Sequence, residues 1–229
     1  MSKKIAILQS NYIPWKGYFD IMNMVDEFVL FDEAQYTKND WRNRNIIKTK
    51  QGLQWLTIPV RQENLMQKIK ETRINDSKWN KKHWLTIQTN YAKSKYFADY
   101  KPYIEELYLN CTTQYLSEIN YIFFEATKNL LNINTKISTS SDFELKNGKT
   151  ERLIDICYQC NASEYISGPA AKQYIDEDLF HQADIKLTWV DYSNYPEYTQ
   201  LFPPFEHGVT ILDLIFNEGA NSSKFMKSF

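Results

Sequence analysis

The stretch Ile5–Tyr18, IAILQSNYIPWKGY, constrains the fold more than any other part of the chain. Ile5 to Leu8 is a short apolar run of the kind that forms a buried strand. Gln9–Gly17 is a polar and aromatic turn. Tyr18, Phe19, Ile21, Met22 and Val25 then recur at helical spacing. A second apolar run, Phe28–Phe31, follows at once and ends on Asp32. Strand, loop, helix and parallel strand form the opening unit of an open α/β sheet. Ligands of such sheets bind in the crevice at the carboxyl ends of the strands. Gln9–Gly17 and Asp32–Gln35 would both open onto that edge. The plainer alternative is an aromatic loop that closes the bottom of a core.

The rest of the chain continues the alternation. Asn45–Thr49 and Gln54–Val60 read as two strands joined by a turn at Lys50-Gln51-Gly52. From Asn75 to Asn132 apolar residues recur at helical spacing, as in Trp79, His83, Trp84, Ile87 and Tyr91. This stretch is too long for one crossover, so it predicts an inserted helical subdomain or lid. Thr135–Ser140, Tyr165–Ser167 and Ile185–Val190 read as strands, with helices starting near Thr150, Pro169 and Thr210. The expected fold is α/β, with a mostly parallel central sheet, flanking helices and the helical insertion at 75–132. The 229 residues suit one domain over 1–229.

Composition excludes several classes. Lys and Arg total 27 against 28 Asp and Glu, so no overall electrostatic footprint for nucleic acid exists. No apolar run reaches the length of a membrane span, and none near Met1 reaches that of a signal peptide. A cytoplasmic protein is therefore expected. Cys111, Cys157 and Cys160 do not make a disulfide framework. Cys157-Tyr-Gln-Cys160 has no second Cys or His pair to complete a zinc site, so no metal is expected and buried structural thiols are. There is no P-loop, no G-x-G-x-x-G and no G-x-S-x-G.

What remains is a polar and aromatic set that a crevice could gather. Gln9, Asn11, Tyr12 and Trp15 follow the first strand; Asp32 and Gln35 follow the second. Lys38, Arg42, Arg44 and Lys48 come next, interleaved with Tyr36 and Trp41, and suggest an anion site for a diphosphate or CoA. Ser167-Gly168-Pro169 sits where a strand turns into a helix, a place where backbone amides favour an anion. Asp191, Tyr192 and Asp213 complete the set, with Asp213 expected to be buried and paired. His83 reads as a packing residue.

Six segments carry a family resemblance: QSNYIPWKGYFD at Gln9–Asp20, FDEAQY at Phe31–Tyr36, WRNRNIIK at Trp41–Lys48, WLTIPV at Trp55–Val60, YISGPAA at Tyr165–Ala171 and ILDLIFNEG at Ile211–Gly219. Together they resemble the WbqC-like family of bacterial proteins and span nearly the whole chain in order. The resemblance implies a transferase-like role in surface-polysaccharide (O-antigen) assembly. It assigns no catalytic residue. Combined with the residue set, it leads to an expected acyl or aminoacyl transfer onto an amino sugar carried on a nucleotide. Asp32 would be the base, with Tyr12 beside it as a catalytic residue. Gln9, Asn11, Trp15, Gln35, Lys38, Arg42, Arg44, Ser167 and Gly168 would bind substrate or phosphate. The co-substrate would be an acyl-CoA or another nucleotide-linked donor. A non-catalytic binding module, a nucleotidyltransferase-like enzyme and a glycosyltransferase are the alternatives. The sequence leaves the oligomeric state open, with a homodimer as one option.

Overall fold

The computed structural model describes residues 2–229. Strand β1 (Lys4–Leu8) leads through a loop into helix α1 (Lys16–Asn23) and strand β2 (Glu27–Leu30). Strands β3 (Arg44–Thr49) and β4 (Gly52–Thr57) form an antiparallel hairpin outside the main sheet. Two short strands, β5 (Val60–Arg61) and β6 (Arg73–Ile74), pair with each other before helices α2 (Trp79–Tyr91), α3 (Phe97–Asn110) and α4 (Leu116–Leu130). Strand β7 (Lys136–Thr139), helix α5 (Thr150–Gln159), strand β8 (Glu164–Ser167), helix α6 (Glu177–Gln182), strand β9 (Lys186–Trp189) and helix α7 (Ile211–Glu218) complete the chain.

Five strands form an all-parallel sheet in the order β7-β2-β1-β8-β9. The chain builds outward from β1 to β7, then returns to the other side of β1 and builds outward again. The order therefore reverses between β1 and β8. The two faces of the sheet follow from the strand period of two. Ala6, Phe28, Leu30 and Ile166 face one way, into a core shared with α1, the three helices α2–α4 and α7. Ile5, Ile7, Val29 and Tyr165 face the other way, onto α5 and α6. Burial on both faces is why these strands read as continuous apolar runs.

Cys157 and Cys160 lie in that second core, and burial pushes their thiols up to about 12 and about 11. They have no thiolate character at neutral pH. The segment after α7 forms a 3-10 turn at Gly219–Phe225 and folds back on α1. There the buried Asp20 carboxylate accepts the backbone amides of Lys227 and Ser228, both at 2.9 Å. Among the described residues no helix is long and apolar enough to cross a membrane.

Glu27 links three strands. Its buried carboxylate pairs with Lys3 at 2.7 Å and Lys136 at 2.8 Å, and accepts from the Ser138 hydroxyl. Burial alone would raise its pKa, but these hydrogen bonds and the Lys3 charge hold it at about 2, below the ordinary 4.5. A depressed carboxylate pKa stabilises the fold above the unfolded value, and that stability is lost as pH falls through 4.5 toward 2. Glu27→Gln should therefore lower stability at pH 7 by about 1–2 kcal/mol, discounted because both lysines reach solvent. The gap from wild type should close in acid. Urea unfolding at pH 7, 4 and 2.5 checks this, and a gap that stays constant with pH would refute it.

Candidate functional site

The site forms over the carboxyl ends of β1 and β8, where the strand order reverses and a crevice opens. After β1 the chain turns through Gln9–Trp15, and nearly every polar group of the turn is fixed. The Tyr18 hydroxyl donates to the Gln9 carbonyl at 2.6 Å. The Ser10 amide donates to Asp32 Oδ1 at 2.9 Å, and Asn11 Oδ1 accepts from the Arg42 guanidinium. The Tyr12 amide donates to the Trp41 carbonyl at 3.0 Å. Asn45 Nδ2 donates to the carbonyls of both Tyr12 and Ile13, at 2.9 and 2.8 Å. Ile13 sits at φ +38°, where a β-branched residue is strained. The buried Asn45 amide, gripping the carbonyls on either side of that residue's nitrogen and carbon, keeps it there.

A cleft of about 420 Å³ opens beside this turn. Asn11, Pro14 and Trp15 form one wall, and Trp41 and Asn45 a second. Tyr192, Asn194 and Tyr195, from the segment after β9, form the third, with His207 and Gly208 at the edge. The Trp15 ring meets Tyr192 and Tyr195 edge-on, at 5.0 and 5.5 Å between centroids. It also folds back over Gly17, where a Cβ would lie 2.3 Å from the indole. Any larger residue there would force the Trp15 indole out of its present place in the cleft wall. Gly168 plays the matching part at the end of β8, since a Cβ there would sit 3.3 Å from the Tyr192 hydroxyl.

Lys16 secures the third wall. Its buried ammonium donates to the Pro196 carbonyl at 2.7 Å and lies 5.0, 5.3 and 5.9 Å from the ring centres of Tyr195, Tyr198 and Phe205. Burial pulls its pKa down to about 8, against the opposing charges of Asp20 and Glu197. The lysine thus ties the start of α1 to the segment that carries Tyr192, Asn194 and Tyr195.

Asp32 and Arg42 stand together behind Asn11. Burial raises the Asp32 pKa, while the Ser10 hydrogen bonds and the Arg42 charge oppose the rise. Arg42 also lies 3.5 Å from Asp40, and its backbone carbonyl accepts from Asn120 Nδ2 at 3.0 Å. Its Nε is buried and unpartnered among the described residues. Asn120 Nδ2 also reaches the Ser10 hydroxyl at 2.9 Å, so α4 braces both sides of this pair.

Of the residues singled out in the sequence, Asn11, Trp15 and Tyr192 line the cleft. Arg42, Asp32 and Gln9 do not line it but bond the turn beside it, through Asn11, Ser10 and Tyr18, and Gly168 lies against Tyr192. Ser167 is buried at the end of β8, 3.3 Å from the Tyr165 hydroxyl. Tyr12 does not reach the cleft. It is 0 % exposed, and its hydroxyl is held between His83 Nδ1 at 2.9 Å and the Tyr108 hydroxyl at 2.7 Å. That phenol is a core group, closed to substrate. His83 packs with it, its pKa lowered to about 4 by burial. Gln35 is exposed and bonds the Leu65 carbonyl, away from the cleft lining. The turn after Gly168 is a 3-10 segment, Pro169–Gln173, so no long helix begins there to hold an anion.

The four cations do not converge on one anion. Arg42 turns to Asn11. The Arg44 guanidinium lies 4.0 Å from the ring centre of Trp55, which in turn packs on Trp41. Lys48 is buried and bonds the Pro204 carbonyl. Lys38 and Arg44 line a different, smaller pocket. Asp213 is also elsewhere, buried under Tyr91, Tyr198 and Gln200. Sequence reading missed Lys16, Asn45, Asn194, Tyr195 and His207 as site residues. Nothing local marks them, because their partners come from distant parts of the chain.

The model of the WbqC-like protein family matches residues 9–225. An uncharacterized protein of Mycobacterium tuberculosis, Rv1507c, is 47 % identical over 226 residues, covering 98 % of each chain. No solved structure matches the chain.

Proposed function

The chain belongs to the WbqC-like protein family, and we propose that it is a transferase of bacterial surface-polysaccharide assembly that acts on an amino sugar carried on a nucleotide. The transferred group is an acyl or aminoacyl group. The observation that supports the reading best is the cleft at the switch point, walled by Trp15, Trp41, Tyr192 and Tyr195 and dotted with the amides of Asn11, Asn45 and Asn194. Flat aromatic faces beside fixed amides suit a sugar ring, which offers C–H groups on its faces and hydroxyls on its rim. Arg42, whose guanidinium bonds the cleft residue Asn11, suits the anionic part of the same ligand.

In the reaction, the sugar amine attacks the donor carbonyl carbon. A C–N bond forms, and the bond from that carbon to the donor's leaving group breaks. The amine proton passes to Asp32, and the leaving group, a thiolate in an acyl-CoA, gains a proton. A carboxyl raised above its ordinary pKa is a better base than an exposed one. Trp15 and Tyr192 orient the sugar, which converts the attack into a first-order step.

The test is turnover with UDP- and dTDP-linked amino sugars and an acyl-CoA, followed by free-thiol release. Asp32→Asn should lower kcat by about 10²–10⁴-fold while ligand affinity stays within a few-fold. Unchanged kcat in that variant removes Asp32 from the chemistry. Tight binding of the sugar with no turnover on any donor would make the protein a binding module instead.

A further inference from the structure

The segment Trp41–Asn45 has two sides, and only one faces the cleft. On the other side lies a separate pocket of about 270 Å³, lined by Lys38, Asn39, Asn43, Arg44, Thr57 and Gln62 among others. We propose that this second pocket binds a sugar phosphate, or the phosphorylated-sugar end of a larger molecule. The inference stands apart from the transferase reading, because it uses none of the residues of the first cleft.

Three observations carry it. First, the pocket holds two cations, and among the described residues neither Lys38 nor Arg44 pairs with a carboxylate. Second, Arg44 is held ready: its guanidinium carbon lies 4.0 Å from the Trp55 ring centre, and its terminal nitrogens bond Asn39, through Oδ1 at 3.3 Å and through the carbonyl. A guanidinium fixed in this way loses little freedom when it takes an oxyanion. Third, two lining residues carry buried polar atoms that bond nothing in the protein, Arg44 Nε and Asn43 Oδ1. Buried polar groups are nearly always satisfied, so such a pair at one pocket calls for an outside partner.

The two orphan atoms differ in kind, and this sets the ligand. Arg44 Nε is a donor and asks for an acceptor, which an anionic oxygen supplies. Asn43 Oδ1 is an acceptor and asks for a donor; its own Nδ2 is already spent on the Ile58 carbonyl at 2.8 Å. The oxyanion oxygens of a phosphate satisfy the first but not the second, and inorganic phosphate can offer the second only its own P–OH, at the expense of an oxyanion oxygen. A phosphate ester with a neighbouring hydroxyl satisfies both. The pocket's volume of about 270 Å³ suits a phosphate and one sugar ring.

Calorimetry at physiological salt tests this, with ribose 5-phosphate, glucose 1-phosphate, inorganic phosphate and free ribose as probes. At least one sugar phosphate should bind, at least ten-fold more tightly than inorganic phosphate, and free ribose should not bind. Lys38→Met and Arg44→Met should each weaken the sugar phosphate ten-fold or more, whereas Trp15→Ala should leave it unchanged. Lys38 is exposed, so its variant tests the site without threatening the fold. Asn43→Leu should erase the preference over inorganic phosphate. The proposal is overturned if no sugar phosphate binds at millimolar concentration, if inorganic phosphate binds equally well, or if Trp15→Ala abolishes binding while Lys38→Met does not.

Discussion

Asp213→Ala should lower the unfolding free energy by about 3–5 kcal/mol, the largest single-residue loss expected in this chain. Asp213 is 0 % exposed in the first turn of α7. Its carboxylate accepts the hydroxyls of Tyr91 and Tyr198, each at 2.8 Å, and Gln200 Nε2 at 3.0 Å. Alanine would leave two buried phenols and one N–H of the Gln200 amide without an acceptor, the other N–H keeping the Glu206 carbonyl at 2.8 Å. It would also remove the charge that faces the buried Lys48. Each unpaired group costs about 1–3 kcal/mol, partly recovered as the phenols relax toward other partners. Tyr91 also connects this centre to β3, since its hydroxyl oxygen accepts the Lys48 amide at 3.0 Å. Loss of Asp213 should therefore loosen the hairpin behind the cleft as well as α7. Urea unfolding followed by tryptophan fluorescence measures the change, and a loss under about 1 kcal/mol would show that the network is not a structural centre.

Arg42→Ala should weaken binding of a nucleotide-linked amino sugar by about 10–100-fold, on the scale of one or two charge-assisted hydrogen bonds. The melting temperature should fall only slightly, because the Arg42 backbone, which receives Asn120, stays in place. Arg42→Lys should not restore affinity: an ammonium cannot bond Asn11 and a ligand oxyanion in one plane as a guanidinium can. Calorimetry at physiological salt gives the comparison. Equal affinity in wild type and Arg42→Ala would remove this arginine from the site. A loss confined to low salt would mean only diffuse attraction.

The centre of the main sheet was legible because β1, β2 and β8 are buried on both faces and so appear as mainly apolar runs between turn residues. Ile5–Leu8, Phe28–Phe31 and Tyr165–Ser167 are examples. The alternation with helices carried the parallel direction. Strand order was not legible, because β8 reaches its place beside β1 through packing of residues some 160 positions apart. The crevice was legible as an address, since loops that follow parallel strands share one edge. Its occupants were not. Tyr12 and Trp15 look alike in a polar turn, yet Tyr12 is drawn into the core by His83 and Tyr108, which lie 71 and 96 residues away. Lys16 has no local feature that announces a cage made by Tyr195, Tyr198 and Phe205. The cluster Lys38, Arg42, Arg44 and Lys48 looked like one site because spacing alone does not tell which side of a strand a side chain takes. Pairing in the β3–β4 hairpin sends Arg44 outward onto Trp55 and Asn45 inward to the cleft.

The most direct measurement is a calorimetric titration of nucleotide-linked amino sugars into wild type and Trp15→Ala, with circular dichroism to show that the variant folds. If the cleft over β1 and β8 is the binding site, wild type binds at least one such sugar. Trp15→Ala, which removes an aromatic wall, should bind it more weakly by on the order of 10-fold or more. Wild-type affinity in a folded Trp15→Ala protein would contradict the placement of the ligand in this cleft.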